Sequence, residues 1–265
     1  MRGRNESMKL ISLNIWGGKA FGPLMDFIKQ SAADTDIFCF QEVFRSTSEI
    51  RESHGTVMNI LDDLSETLPD FLRYFSPIQD LFDLTGRVDF DASLGQATFI
   101  RNSITVLSQG EFFVYRKRNG AESLETIPAN VNFTRLERNK KIFTICNFQG
   151  LWYPGEKLDT PERLEQSRRI KNFLDREQNP KILCGDFNLM PDTESMKLLE
   201  GSGLINLIET FKIPRTRSRL SSFFGTPDAQ KFADYVLVSP DVNVLDFKVP
   251  DVLVSDHLPM ILEFR

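Results

Sequence analysis

The 265-residue chain has little cysteine, little histidine and little tryptophan, with three, two and two residues respectively. Three cysteines make no disulfide framework, and no two of them have metal-ligand spacing. Cys39, Cys146 and Cys184 each sit inside an apolar run, where a thiol behaves as a small, inert core residue. No uncharged apolar stretch approaches the length a membrane-spanning helix needs, so no integral membrane association is expected. Linkers rich in proline, glycine or serine, internal repeats and low-complexity tracts are also missing, and a single domain over residues 1–265 is expected. Excess positive charge is absent too. A formal net charge of −5 argues against a protein that coats nucleic acid by bulk electrostatics, but leaves room for a nuclease whose positive charge comes from a bound cation. Met1-Arg2-Gly3-Arg4-Asn5-Glu6-Ser7 lacks the apolar centre of a signal peptide, which makes a cytoplasmic protein the expectation. The triplets Asn5-Glu6-Ser7 and Asn132-Phe133-Thr134 then carry no weight as glycosylation sites.

What the chain does have is a set of apolar runs tipped by polar groups. Gly185-Asp186-Phe187-Asn188 follows Ile182-Leu183-Cys184, and places a carboxylate and a carboxamide where a core would choose neither. Asp can take a proton or help hold a metal, and Asn can donate a hydrogen bond to a charged oxygen. Lys9-Leu10-Ile11-Ser12-Leu13 runs into Asn14, Asp36-Ile37-Phe38-Cys39-Phe40 into Gln41-Glu42, and Phe143-Thr144-Ile145-Cys146 into Asn147 and Gln149. Asp234 opens Tyr235-Val236-Leu237-Val238, and Ser255-Asp256-His257 precedes Leu258-Pro259-Met260-Ile261-Leu262.

Periodicity predicts helices over Phe21 to Ala32 and Val57 to Leu68, one starting at Thr160-Pro161, and one starting at Asp192 or Thr193. Strand-like runs are more numerous: Ala97-Ile100, Thr105-Leu107, Glu111-Tyr115, Val131-Leu136, Lys141-Asn147, Lys181-Cys184, Phe232-Val238, Val242-Phe247 and Leu258-Phe264. Ile37-Phe40 and Ile182-Cys184 are apolar on both faces, which requires cover on both sides. Two mixed, mainly antiparallel sheets packed face to face with helices outside satisfy these counts. The turn signals Arg138-Asn139-Lys140 and Asn102-Ser103 predict hairpins.

The ordered blocks Asn14, Gln41-Glu42, Gly185-Asp186-Phe187-Asn188, Asp234 and Ser255-Asp256-His257 resemble the endonuclease/exonuclease/phosphatase superfamily. That group includes pancreatic-type DNases, abasic-site endonucleases, neutral sphingomyelinases, inositol polyphosphate 5-phosphatases and deadenylases. The resemblance runs from about Met8 to the end of the chain. It implies a four-layer α/β sandwich and phosphate-ester hydrolysis assisted by Mg²⁺ or Mn²⁺. By the same resemblance Glu42 is the main metal ligand, with Asn14 and Asp256 beside it, directly or through water. Hard oxygen ligands suit Mg²⁺. A surface carboxylate that merely follows a strand is the plain alternative for Glu42.

The resemblance also makes His257 the phosphate-end histidine, oriented by Asp234. A carboxylate on one ring nitrogen fixes the tautomer and is expected to raise the imidazole pKa. A satisfied strand-edge histidine is the bland alternative. His54, the other histidine, reads as a solvated loop residue. Asp186 is expected to align or deprotonate water, or protonate the leaving oxygen, and Asn188 to hold a nonbridging phosphate oxygen. The chain departs from the family pattern at Gln149, where many members carry histidine. An amide can still donate a hydrogen bond to phosphate but cannot transfer a proton, so an impaired site is one expectation.

Trp16, Trp152 and Tyr153 adjoin these blocks and are candidates to stack on bases, or else wall the cleft. Arg215, Arg217 and Arg219 alternate with Thr216 and Ser218, as a stripe facing phosphates or as a solvated loop. The leading expectation is a metal-dependent phosphodiesterase acting on nucleic acid. A sphingomyelinase-like or phosphomonoesterase activity, and a module that binds a phosphate ligand without turnover, are the alternatives. Oligomeric state stays open.

Overall fold

The computed structural model describes residues 7–222, 224–226 and 230–265, so most of Asn5-Glu6-Ser7 and the leading segment falls outside the described residues. In chain order the first half holds β1 (Met8–Asn14), α1 (Phe21–Ala32), β2 (Ile37–Arg45), β3 (Glu52–Ser53), β4 (Thr56–Val57), α2 (Ile60–Thr67), β5 (Phe71–Asp80), β6 (Ser93–Arg101), β7 (Thr105–Tyr115) and β8 (Ala129–Arg138). The second half holds β9 (Lys141–Gln149), α3 (Pro161–Leu174), β10 (Lys181–Asp186), α4 (Glu194–Glu200), β11 (Ile205–Asn206), α5 (Leu207–Thr210), β12 (Asp234–Val238), β13 (Val244–Lys248) and β14 (Met260–Phe264). Among the described residues no helix is long and apolar enough to cross a membrane.

Two six-stranded sheets form, ordered β13-β14-β1-β2-β6-β5 and β11-β12-β10-β9-β8-β7. Each holds one parallel pair at its centre, β1 with β2 across α1 and β9 with β10 across α3; the other pairs are antiparallel. Strand alternation explains the layers. Met8 and Leu10 of β1 join one core cluster with Cys39 and Cys184, while Ile11 and Leu13 join a second with Leu24 and Ile28 of α1. Ile170 and Leu174 of α3 and Met196 and Leu199 of α4 cover the other sheet. The four-layer sandwich is therefore the observed fold, and the three cysteines are buried free thiols.

Register lines up the polar tips. Asn14 pairs with Gln41 in one sheet, while Gln149 and Asp234 flank Asp186 in the other. Thr160 caps α3 by accepting a hydrogen bond from the Arg163 N–H at 3.2 Å, and Thr193 caps α4.

Three details differ from the sequence expectations. Asn102-Ser103 is no hairpin, because β6 and β7 belong to different sheets and this turn carries the chain from one to the other. The hairpin at Asn139-Lys140 does form, both residues taking positive φ (53° and 65°) as a tight two-residue turn requires. β5 escapes a pattern reading because it is an edge strand with Pro77 at a register shift, where proline is tolerated. Thr105-Leu107 and Glu111-Tyr115 are one strand, whose alternation is broken by register shifts at Val106/Ser108 and Phe113/Tyr115.

Between the sheets runs a buried polar seam. Gln41 Nε2 donates to Asn147 Oδ1 at 2.7 Å, and Asn147 Nδ2 donates to the Phe40 and Ala97 carbonyls, each at 3.2 Å. Gln96 Nε2 donates to the Asn130 carbonyl at 2.9 Å, and Thr98 Oγ1 to Asn132 Oδ1 at 3.3 Å. Asn147 therefore ties the sheets together and does not face the open edge.

Candidate active site

The seam ends at the sheet edge where the aligned polar tips meet. β2 does not stop at Gln41-Glu42, as its sequence suggested. It continues to Arg45 through a register shift between Phe40 and Val43, with Glu42 at φ 56°. A bulge re-aims a side chain. Strict alternation would send Glu42 opposite to Gln41; the bulge instead brings its carboxylate beside Asn14, whose Nδ2 donates to Glu42 Oε1 at 2.9 Å. The same Nδ2 reaches across the sheets to Asp186 Oδ2 at 3.1 Å, while Asn14 Oδ1 accepts the Trp16 N–H at 2.9 Å. Asn14 thus turns its NH₂ group, not its oxygen, toward the acids.

Asp186 is held on both oxygens. The Asn188 N–H donates to Oδ1 at 3.0 Å and Asn188 Nδ2 to Oδ2 at 3.2 Å, a geometry that needs Asn188 at φ 51°. Gly185, at φ 140°, lets the strand pass so close to β9 that a Cβ there would lie 1.9 Å from the Phe148 carbonyl oxygen. Gln149 faces Glu42. Its Nε2 donates to Oε1 at 3.3 Å and its Oε1 accepts the Glu42 N–H at 3.4 Å, so in this structure its amide orients a carboxylate.

His257 completes the cluster. Its Nδ1 lies 2.8 and 2.9 Å from the two oxygens of Asp234, and its Nε2 lies 3.8 Å from both Asp186 Oδ2 and Asp256 Oδ1. Arg217 Nη1 hydrogen-bonds Nε2. Guanidinium can only donate, so Nε2 accepts and Nδ1 carries the proton given to Asp234. Ser255 Oγ donates to the Asn14 carbonyl at 2.7 Å and accepts the His257 N–H at 3.2 Å, tying the segment before β14 to the end of β1 in the same sheet.

Burial dominates the electrostatics. It pushes the Glu42 carboxyl up to about 8, with Asp256 adding repulsion, and raises Asp234 in the same way. The expected rise of the His257 pKa is overturned: burial first, then the Arg217 charge, lowers it to about 4, outweighing the nearby carboxylates. Asp186, Asp234 and His257 offer ligand atoms all within 4.8 Å of one another. His257 and Asp234 are already bonded to each other, however. Glu42, Asp256 and Asp186 form the oxygen set better suited to a hard cation, since each repulsive neighbour that raises Glu42 is a carboxylate a divalent ion would neutralise.

These positions decide the family. A model of the Endonuclease/Exonuclease/phosphatase family matches residues 11–257, spanning the Asn14 and His257 blocks. The chain belongs to that family. No curated protein sequence matches it. Among solved structures it is similar to a family protein from Leptotrichia buccalis, at 19% identity and TM-score 0.72, covering 97% of this chain and 99% of that one. A mannosyl-6-phosphatase from Bacteroides thetaiotaomicron gives 18% identity and TM-score 0.70 over 97% and 99% of the two chains. The human Nocturnin catalytic domain, solved with a bound sulfate anion, gives 17% and 0.64 over 98% and 94%. At such identities the structural likeness speaks for the fold, and the chain's placement among phosphoester hydrolases rests on the family match.

Within this cluster, hydrogen bonds and close ion pairs link Asn14, Glu42, Gln149, Asp186, Asn188, Asp234, Asp256 and His257. Trp16 contributes its backbone N–H, and its ring lies under Lys19 Nζ at 5.1 Å. Trp152 and Tyr153 stand apart, 42% and 45% exposed, with Trp152 Nε1 donating to the Leu124 carbonyl at 2.8 Å. The arginine stripe divides. Arg215 and Arg219 both pair with Asp251, at 2.7 and 3.0 Å, whereas Arg217 turns inward. His54 is an exposed loop histidine with Nδ1 2.8 Å from Asp83. Sequence reasoning missed Lys157, a buried lysine in a loop with no periodic signal. It also left Arg217 undecided, although buried Thr216 and Ser218 on either side betray a strand-like alternation.

Proposed function

We propose that this protein is a divalent-cation-dependent phosphoester hydrolase with its active site at this edge. One observation carries the reading: Glu42, Asp186, Asp256 and the Asp234–His257 pair converge from both sheets on one spot, with Asn14 bridging Glu42 and Asp186. Asp234 holds His257 in a single tautomer, which aims Nε2 at the place a phosphate would occupy. Asp186, fixed by three N–H donors from Asn14 and Asn188, is placed to take a proton from an attacking water. Glu42 and Asp256 would hold Mg²⁺ or Mn²⁺, with Gln149 and Asn14 orienting Glu42. A bound cation would supply electrostatic stabilisation for charge building on the phosphoryl oxygens.

For the substrate, Trp152 and Tyr153 support an ester carrying a nucleobase or another flat ring. Both aromatic residues are substantially exposed, and they come two and three residues after Gly150 in the chain. The net charge of −5 favours a short strand or a nucleotide over a long duplex. The test is hydrolysis of p-nitrophenyl phosphate, its bis ester, and labelled single-stranded DNA, duplex DNA and RNA, each with Mg²⁺, Mn²⁺ or EDTA. Cation-dependent product release, abolished by EDTA and by His257→Ala, is expected. Tight capture of inorganic phosphate with no cation-dependent turnover on any substrate would replace the hydrolase with a binding module.

A further inference from the structure

The carboxylates and His257 carry the chemistry described above, and two buried cations beside them have no part in it. Arg217 has a side chain only 12% exposed. Its backbone forms a β-bridge with His257, and Ser218 N–H donates to the Asp256 carbonyl at 2.9 Å, so the arginine is fixed alongside the catalytic segment. Nη1 caps His257 Nε2, while Nη2 donates to Asp256 Oδ2 at 2.8 Å and to Ser221 Oγ at 3.3 Å. Among the described residues Nε is buried with no acceptor. Lys157 is 6% exposed, yet among the described residues its ammonium has no hydrogen bond and no ion pair. Its charge is felt by Asp186, Asp234 and Asp256, and it repels Arg217. Met190 N–H donates to the Lys157 carbonyl at 2.9 Å, which ties this loop to the segment just after Asn188.

Asp256 answers Arg217, but the Lys157 ammonium, which has no ion pair among the described residues, and the unused Arg217 Nε leave donors at the site that a further anion would satisfy. We infer that Arg217 and Lys157 form a clamp for a terminal phosphate, so that the substrate class is a phosphomonoester on a nucleotide or strand end. The inference rests on the hydrolase reading of this same site. It turns on counting oxygens. A phosphomonoester offers three nonbridging oxygens and up to two charges, whereas an internal diester offers two oxygens and one charge. Guanidinium binds two phosphate oxygens with its planar fork, and an ammonium adds a point charge with three donors. Together with a divalent cation these groups outnumber what a diester can accept, and they match a terminal phosphate. In the free protein Arg217 covers His257 Nε2; an entering phosphate draws the guanidinium away and uncaps the ring.

The experiment uses the whole chain and two readouts. Inorganic phosphate binding is measured by calorimetry in EDTA and in Mg²⁺ for wild type, Arg217→Ala, Arg217→Lys and Lys157→Met, with circular dichroism to check folding. kcat/KM is measured for p-nitrophenyl phosphate and for its bis ester. Phosphate affinity should fall about tenfold or more in Arg217→Ala and Lys157→Met, as expected when a charge-assisted contact to an anion is lost. Wild type should favour the monoester over the diester by about tenfold or more, and Arg217→Lys, which keeps the charge but loses the fork, should shrink that ratio. Unchanged phosphate affinity in both cation variants, or a preference for the diester, overturns the clamp. If phosphate binding depends on both cations while neither ester is hydrolysed, the clamp stands and the hydrolase reading falls. If Arg217→Ala fails to fold, Arg217→Lys and Lys157→Met decide the matter.

Discussion

The two sheets touch through two polar regions, and they behave oppositely. In the seam, Gln41, Gln96, Thr98, Asn130, Asn132 and Asn147 are buried and neutral; their hydrogen bonds run mostly to one another and to backbone carbonyls, with Asn130 Nδ2 also donating to Ser76 Oγ at 2.7 Å, while Gln41 Oε1, Gln96 Oε1 and Asn132 Nδ2 find no partner among the described residues. At the edge, Glu42, Asp186, Asp234, Asp256 and His257 are titratable, and burial pushes the Glu42 and Asp234 carboxyls up and His257 down. Adjacent residues fall on opposite sides of this divide. Gln41 belongs to the seam and Glu42 to the edge, separated by one bulge. A buried neutral amide specifies how the sheets pack, whereas a buried, crowded carboxylate is stability held in reserve for a ligand.

The sharpest break of this contrast is His257→Ala, which should cut turnover by roughly 10²–10⁴ while leaving the melting temperature close to wild type. The substitution removes an edge group that no seam contact depends on. A steady-state assay alongside thermal denaturation checks it; an equal loss in substrate affinity would make His257 a binding group.

Asn147→Ala should do the reverse. It strips Gln41 Nε2 of an acceptor and the Phe40 and Ala97 carbonyls of a donor, at a cost of about 2 kcal/mol. In a chain of this size that is a fall of roughly 4–8 °C in melting temperature. Activity per folded molecule should stay within a few-fold of wild type. A large loss of activity without loss of stability would place Asn147 in the site and erase the distinction between the regions.

How much of this was legible in sequence follows from the same contrast. The fold was readable because apolar runs such as Ile182-Leu183-Cys184 and a capped helix such as Thr160-Pro161 report local preference directly. The site blocks were readable because charged tips on apolar runs have few structural uses. Asn147 looked like one more such tip, since periodicity cannot tell a seam amide from an edge amide. Arg217 and Lys157 sit in irregular loops, and their inward aim depends on contacts made more than 30 residues away, such as Arg217 with Asp256. The Gln149 departure was visible, but its partner was not, because only the bulge at Glu42 brings that carboxylate under the Gln149 amide.

Gln149→Ala therefore tests an orienting group at the boundary of the two regions. Loss of its paired contacts to Glu42 should weaken cation affinity about tenfold, at the low end for a residue that orients a metal ligand, with turnover at saturating cation largely kept. Titration of Mg²⁺ or Mn²⁺ against activity reads the shift. Unchanged cation affinity with depressed turnover would move Gln149 to the phosphate.

The remaining contrast is the pH dependence of stability in EDTA. Glu42 is raised from 4.5 to about 8, so its contribution to folding is complete below 4.5 and is lost as pH rises toward 8. His257 is lowered from 6.5 to about 4, so its contribution is present above 6.5 and is lost as pH falls through 4. Asp234, raised from 3.8 to about 7, adds to the Glu42 slope, so the cation-free protein is most stable in acidic solution and softens as pH rises. Glu42→Gln replaces the strained acid with the kind of neutral amide the seam uses, and should leave the acid side unchanged while shrinking the alkaline slope to the part that Asp234 contributes. Mg²⁺ should flatten it in wild type and not in the variant. Thermal melts across pH 4–9, with and without Mg²⁺, separate the two limbs. If Glu42→Gln and wild type follow parallel curves, the charge strain does not reside at Glu42, and the edge is no different from the seam at that position.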